Sequence, residues 1–531
     1  MAAQPKKYGI ETRAGGLRNE AAIELARPSV GQAAQGRTAQ LLDPAIFFTL
    51  LALIALVAIP YGSVHPWWEA VFECAVFALG ALWVVDGLLS RAWRVSGYRL
   101  VAPLIAIIVL AFIQTISLDG EAAGIKGEMW RAVSADPYET RRFALKLLAL
   151  SLAGMLLLRY TSNQRRLRTL IHVLISVGVA SALFGIVRQM VQGSALNFAL
   201  PQLPSDRSYA QFIDRNHFAF LIEMVLGLIF GLMVGGGIER ERRLIYLTAA
   251  LLLCAALVLS NSRGGILTML CQMLFLALLF GIPGPARAAN RKGSSVSHGW
   301  LPRLSSLFVV RAALILSLLT GVTIGIIWVG GDPLMHRLGT VPREFSPDDD
   351  DKRMNARRVE IWKATWGLIK AHPIAGTGFG GYWIAFSGQH DASGVFTPEE
   401  AQFRPLAAHN EYLELLASGG LIGGALGTWF VIVLIKCARE QLRRSRDPFR
   451  RAASFGALVG LFGVAIHSLV DFGPHDTVNA LVFTALVVIA TVNGRVEGTI
   501  VPMGQATLFR TMRPLKTEPN SFSIYHSTDG K

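Results

Sequence analysis

Residues Ala408 to Gly424 read AHNEYLELLASGGLIGG. A histidine–asparagine pair and two glutamates run into an apolar stretch with no loop between them. Glycines follow at fixed spacing, giving H-N-x9-G-x-x-G with Gly420 and Gly423. Glycine on a helix lets a neighbouring helix come close, as helices pack in lipid. The apolar part runs on to about residue 436, enough to cross a bilayer.

The rest of the chain has the same character. Of its 531 residues, 52% are hydrophobic and 16% charged. A soluble globular chain carries about 25% charged residues. The solvent for most of this chain is therefore lipid. No cleavable signal peptide is visible, and the first apolar run is expected to act as an uncleaved anchor. The four cysteines show no metal-ligand spacing and suggest no disulfide in an outer loop.

A spanning helix needs about 20 mostly apolar residues. The pattern predicts an all-α, polytopic membrane helix bundle of about twelve spans. They fall near 44–62, 67–89, 100–117, 142–159, 168–190, 217–236, 244–260, 265–283, 308–330, 418–436, 454–472 and 476–493. The organisation expected is a basic, disordered tail over 1–43, nine spans within 44–330, a large partly helical outer loop over 331–417, three spans within 418–493, and a disordered tail over 494–531.

Charge distribution orients the bundle. The net charge is +15, but Lys and Arg gather in alternate loops rather than on one face. These loops include Arg91–Arg94–Arg99, Arg240–Arg242–Arg243 and Arg443–Arg444–Arg446. With twelve spans, every basic loop lies on the side of the basic N-terminus. By the positive-inside rule that side is the cytoplasm, with both termini there. The same distribution argues against nucleic acid as a partner.

The long outer loop contains RVEIWKATWGLIKAHP, with Val359, Trp362, Trp366 and Ile369 at helical spacing. A basic amphipathic helix with Trp on its apolar face suits a membrane surface or the cap of a bundle. The run SPDDDD at 346–351 reads as a solvated loop rather than a cation site, and no metal is expected. GTGFGG contains G-x-G-x-x-G at Gly376, Gly378 and Gly381, yet it follows a helix and lacks a preceding strand, which argues against a dinucleotide fold. Glu73, Glu223 and His467 are ionisable groups inside spans. They are functional candidates by default, or partners of polar neighbours.

The candidate chemistry sits on the outer face. His409 and Asn410 precede the tenth span. Arg215 lies in FIDRNHF at the outer end of the sixth, and Arg263 in the SNSRGG turn between the seventh and eighth. Taken singly, each has a plain reading: a hydrogen-bonded interfacial histidine, or arginines snorkelling at span ends. Together on one face they make a different set. Guanidinium forks bind phosphate bidentately, and a neutral imidazole accepts a proton near neutral pH.

HN-x9-GxxG, PIAGTGFGGY, SNSRGG, FIDRNHFA and HSLVDF together resemble the O-antigen ligase and O-antigen polymerase superfamily, bacterial polytopic membrane glycosyltransferases. The resemblance covers roughly 210–475. It implies transfer of a glycan from an undecaprenyl-diphosphate carrier to an acceptor hydroxyl on the periplasmic side of the inner membrane, with no metal and no cofactor. It implies His409 as the base that activates the acceptor, and Arg215 and Arg263 as pyrophosphate ligands. Arg357 and Arg358 are the choices for the outer-loop arginines of the family, because they begin the amphipathic helix. Asn410 and Asp471 are expected to support the site. The acceptor is lipid A-core for a ligase, a second glycan repeat unit for a lipopolysaccharide or exopolysaccharide polymerase, or a protein. A transporter or flippase for the same lipid-linked glycan is the competing reading. The long outer loop and the lack of an evident inverted repeat argue against it.

Overall fold

A computed structural model of the chain describes residues 30–90, 98–116, 132–161, 163–191, 208–281, 358–393 and 407–491. Among these the fold is helical, without named strands. The helices are α1 (Val30–Val57), α2 (Pro66–Ser90), α3 (Tyr98–Gln114), α4 (Pro137–Tyr160), α5 (Gln164–Val191), α6 (Arg215–Val234), α7 (Arg243–Leu259), α8 (Arg263–Gly281), α9 (Arg358–Ala371), α10 (Tyr382–Ser393), α11 (Glu411–Arg444), α12 (Pro448–His467) and α13 (Thr477–Thr491).

Eleven of these meet the apolar runs expected as spans. The run at 308–330 lies outside the described residues, as do residues 1–29, the tail over 494–531 and the SPDDDD segment; residues 30–43, expected as part of a disordered tail, are helical in α1. Seven helices are long and apolar enough to cross a membrane: α2, α4, α5, α6, α7 with its preceding turn, α11 and α12. Four more apolar helices are shorter: Leu41–Val57, Arg99–Gln114, Arg263–Leu276 and Thr477–Thr491.

Helix starts follow local side-chain chemistry. Asp136, Asp214, Asn410 and Asp447 each accept backbone N–H groups at the first turn of α4, α6, α11 and α12. Pro137 and Pro448 sit at first positions that need no donor. The cap at Asp447 moves the start of α12 to residue 448, ahead of the expected 454. At the other end of that connection, α11 runs to Arg444, so Arg439, Arg443 and Arg444 stand on helix rather than on loop.

The core is built around α6, most of which is buried. It crosses α12 where glycine meets glycine. A Cβ on Gly231 would strike the backbone of Gly456, and one on Gly227 the backbone of Gly460. Close backbone approach of this kind replaces the large interdigitated side chains of a soluble core. Gln272 of α8 locks both helices by donating to the carbonyls of Glu223 and Val459, each at 3.1 Å.

A second junction brings in the long outer segment. Residues 373–378 zip onto 417–422: Thr377 and Gly378 donate to the carbonyls of Ala417 and Ser418, and Leu421 and Ile422 to those of Pro373 and Ile374. Gly420 kinks α11 here at φ 59°, ψ −159°, a region open essentially to glycine. The Gln114 side chain donates to the carbonyls of Ala375 and Ser418. The glycines of GTGFGG thus serve a close backbone contact.

Helix α9 caps the bundle. Its Ile361 and Leu368 join Tyr382, Ala385, Phe386, Ala408 and Ala417 in one apolar cluster, with Trp362 and Ile369 beside it. Trp366, expected on the apolar stripe that faces a membrane surface or the bundle, is 49% exposed, with Lys370 near its ring. The buried face is centred on Ile361, Thr365 and Leu368.

Candidate functional site

The site forms where several helix ends meet. Asp214 caps α6, so Arg215 is its first residue and Asn216 its second. In the SNSRGG turn, Ser260 Oγ donates to the Leu257 carbonyl, Asn261 takes a positive φ of 57°, and Ser262 Oγ accepts from the Gly265 amide. That cap starts α8, whose first residue is Arg263. Arg358 opens α9. These arginines lie with Asn216, Asn261, Gly264, His467, Val470 and Asp471 around one pocket. The starts of α6 and α8 add the partial positive charge of helix N-termini to the guanidinium groups.

Asp471 organises the wall facing His409. It is 1% exposed. Its Oδ1 pairs with His409 Nδ1 at 3.1 Å and accepts the Phe472 amide at 3.0 Å. Its Oδ2 accepts from Asn216 Nδ2 at 2.5 Å and from Arg358 Nη2 at 3.4 Å. Burial alone would raise its pKa. The hydrogen bond from His409 and the Arg358 charge outweigh burial and hold the carboxyl well below the usual range.

An ionised carboxylate only accepts, so the His409 hydrogen in that contact belongs to Nδ1. In the neutral ring the lone pair then sits on Nε2. The histidine is pinned further. Its backbone is at φ 49°, uncommon for a non-glycine residue. Its ring meets Phe472 edge-on at 4.8 Å. Asn410 caps α11 through Oδ1 and donates Nδ2 to the Leu469 carbonyl at 2.8 Å. Trp362 Nε1 donates to the Ala408 carbonyl at 3.0 Å, tying α9 to the residue before the histidine.

Of the residues expected at the site, Arg215, Arg263, Arg358 and Asp471 line the pocket, and His409 and Asn410 adjoin it through the 468–471 segment. Arg357 lies outside the described residues. Glu73 belongs to a separate charged group with Glu69, Arg142 and Lys146. Sequence reasoning passed over Asn216 and Ser262. Ser262 Oγ donates to Asn216 Oδ1 at 2.8 Å, so the α8 turn, α6 and Asp471 form one chain of hydrogen bonds. The available signal was adjacency, since Asn216 follows Arg215 and Ser262 precedes Arg263. Among the described residues, no three His, Cys, Asp or Glu side chains gather as metal ligands.

Chemically, the arrangement offers a buried carboxylate fixing an imidazole, beside a pocket with three guanidinium groups. It suits a multiply charged anion next to a proton acceptor.

No curated protein matches the chain at a significant level. Residues 248–428 match the family model described as O-antigen ligase, about a third of the chain. The matched stretch contains Arg263, Arg358, His409 and Asn410, while Arg215 and Asp471 fall outside it. This stretch, which holds both the SNSRGG turn and the HN-x9-GxxG motif, is thus similar to the O-antigen ligase family, in a chain with seven described helices long and apolar enough to cross a membrane.

Proposed function

We propose that the chain transfers a glycan from undecaprenyl diphosphate to an acceptor hydroxyl at the periplasmic face of the bacterial inner membrane, in lipopolysaccharide or exopolysaccharide synthesis. The twelve-span topology, with both termini cytoplasmic, is part of this reading. The observation that carries it is the contact between His409 Nδ1 and Asp471 beside the arginine-lined pocket.

The donor enters from the bilayer with its diphosphate against Arg215, Arg263 and Arg358. His409 Nε2 accepts the acceptor's hydroxyl proton, and the oxygen attacks the anomeric carbon. The bond from that carbon to the diphosphate oxygen breaks, and its electron pair leaves with the diphosphate. Attack opposite the leaving group inverts the anomeric centre. Fixed guanidinium groups meet the charge as it develops, where prearranged donors act most strongly. No metal enters this scheme. Asp471 keeps the imidazole in the useful tautomer.

The test is transfer by the purified full chain from a synthetic lipid-linked donor. His409→Ala is expected to lose transfer by about 10²–10⁴-fold, the usual worth of a general base, while remaining folded. Undiminished transfer would remove His409 from that role. Movement of the lipid across vesicles without bond transfer would mark a carrier instead. The glycan profile of a deletion strain separates acceptors. Carrier-linked polymer missing from lipid A-core marks a ligase, and free repeat units without long chains mark a polymerase.

A further inference from the structure

One residue lining the pocket, His467, belongs to a buried pair that the scheme above leaves unused. His467 ends α12, four residues before Asp471, and is 1% exposed. Its Nδ1 is 2.9 Å from Oε1 of Glu223, a fully buried residue of α6. Its ring stacks on Phe220 at 4.1 Å, nearly parallel. Carboxylate and aromatic together leave the ring one orientation.

In that orientation Nε2 is buried and has no hydrogen-bond partner. Such an atom loses its water without compensation, a cost native structures rarely carry unless a ligand or water meets it. Gly264 stands at Nε2. A Cβ there would collide with the imidazole, so only glycine lets the start of α8 pack this closely against Nε2. Gly264 and His467 both line the pocket with the three arginines.

Proton placement follows from burial. An imidazolium beside a carboxylate is neutral as a pair, and so is an Nε2-protonated imidazole beside a carboxylic acid. Both leave a hydrogen on Nε2. The remaining placement, Nδ1-protonated imidazole beside carboxylate, leaves the fully buried pair with a net negative charge, which is costlier. His467 therefore presents a donor, next to guanidinium groups that also only donate.

We propose that His467, oriented by Glu223 and packed against Gly264, is a phosphate ligand that donates Nε2–H to the diphosphate of the lipid-linked donor and so distinguishes diphosphate from monophosphate carriers. The proposal rests on the donor reading above. It gives the wall with His409 and Asp471 to the acceptor, and the side with His467 to the leaving group.

The experiment measures binding of undecaprenyl diphosphate and of undecaprenyl monophosphate to the full chain in lipid nanodiscs. His467→Phe keeps the ring stacked on Phe220 and removes the donor. It is expected to weaken diphosphate binding by about tenfold, the worth of one charge-assisted hydrogen bond, with a smaller effect on monophosphate. His467→Gln, which retains a donor, is expected to restore part of the preference. Gly264→Ala places a methyl against Nε2 and is expected to reduce diphosphate binding in the same direction, which decides the matter should His467→Phe fail to fold. Wild-type diphosphate binding in both His467→Phe and Gly264→Ala would overturn the proposal, as would equal loss of both lipids in both His467 variants. Should the unaltered protein bind neither lipid, and Arg215→Ala change nothing, the donor reading falls and this inference with it. Diphosphate binding that needs Arg215 but ignores His467 and Gly264 removes this inference alone.

Discussion

Asp471 accepts from an imidazole, a guanidinium, a side-chain amide and a backbone amide while almost fully buried. A buried carboxylate with one such donor removed keeps its charge and loses the group that offset it. Asp471→Asn is expected to reverse the hydrogen-bond polarity toward His409 and to reduce kcat more than donor KM, measured by steady-state transfer. The lowered pKa also has a signed consequence for stability. Carboxylates held below their unfolded value of about 3.9 stabilise the fold above that pH, and the contribution is lost as pH falls toward the native value. Thermal unfolding in detergent is therefore expected to lose stability below about pH 4 more steeply in the unaltered protein than in Asp471→Asn. Much of this cluster was legible as residue types: His409, Arg215, Arg263, Arg358 and Asp471 each stood in a quotable motif. Asn216, Ser262 and the pairing of His467 with Glu223 were not. Their meaning lies in which atom faces which, and that is set by helices far apart along the chain.

At the scale of elements, spans were legible because apolar runs must be helical in lipid, where each backbone group needs an internal partner. Register on the amphipathic helix was not. Trp362 and Trp366 suggested a stripe, yet the packed face runs through Ile361, Thr365 and Leu368. Thr365 Oγ1 lies 2.7 Å from the Tyr382 hydroxyl, so a small polar residue fits the seam that Trp366 would overfill. The zipper between 373–378 and 417–422 was equally hidden, being backbone to backbone. Its weak point is Gly420. Gly420→Ala meets both an unfavourable backbone region and the Ile374 carbonyl, and is expected to cost about 1–3 kcal/mol in detergent melting. A second tie joins the turn at Gly473–His475 to α11. His475 Nε2 is 3.7 Å from Glu411 and 3.6 Å from Glu414. The side chain is 45% exposed; its covered part would lower the pKa, but the two carboxylates outweigh that and raise it to about 9. Stability from this tie is full below about pH 6.5 and is lost as pH rises through 9. His475→Gln is expected to flatten that alkaline decline in a melting series from pH 6 to 10.

For the whole molecule, the arginines of the pocket and the basic connections stand at opposite ends of α6 and α12, with Arg215 and His467 at one end and Arg240 and Arg450 near the other. Single cysteines introduced at Arg240 and at His475 are expected to differ in intact cells. The one at 475 would react with an impermeant thiol reagent from outside, and the one at 240 only after permeabilisation. The opposite pattern would invert the topology and place the transfer chemistry in the cytoplasm.

The crossing of Gly227 and Gly231 with Gly456 and Gly460 carries a consequence for how such a protein can diversify. A seam of bare backbone has no rotamers to readjust, so it tolerates neither sliding nor gradual repacking. The walls of the arginine-lined pocket thus stay in fixed register from one descendant sequence to the next. Under the proposed function, new substrate preferences then have to arise from groups lining the pocket, and not from any shift of the helices beneath.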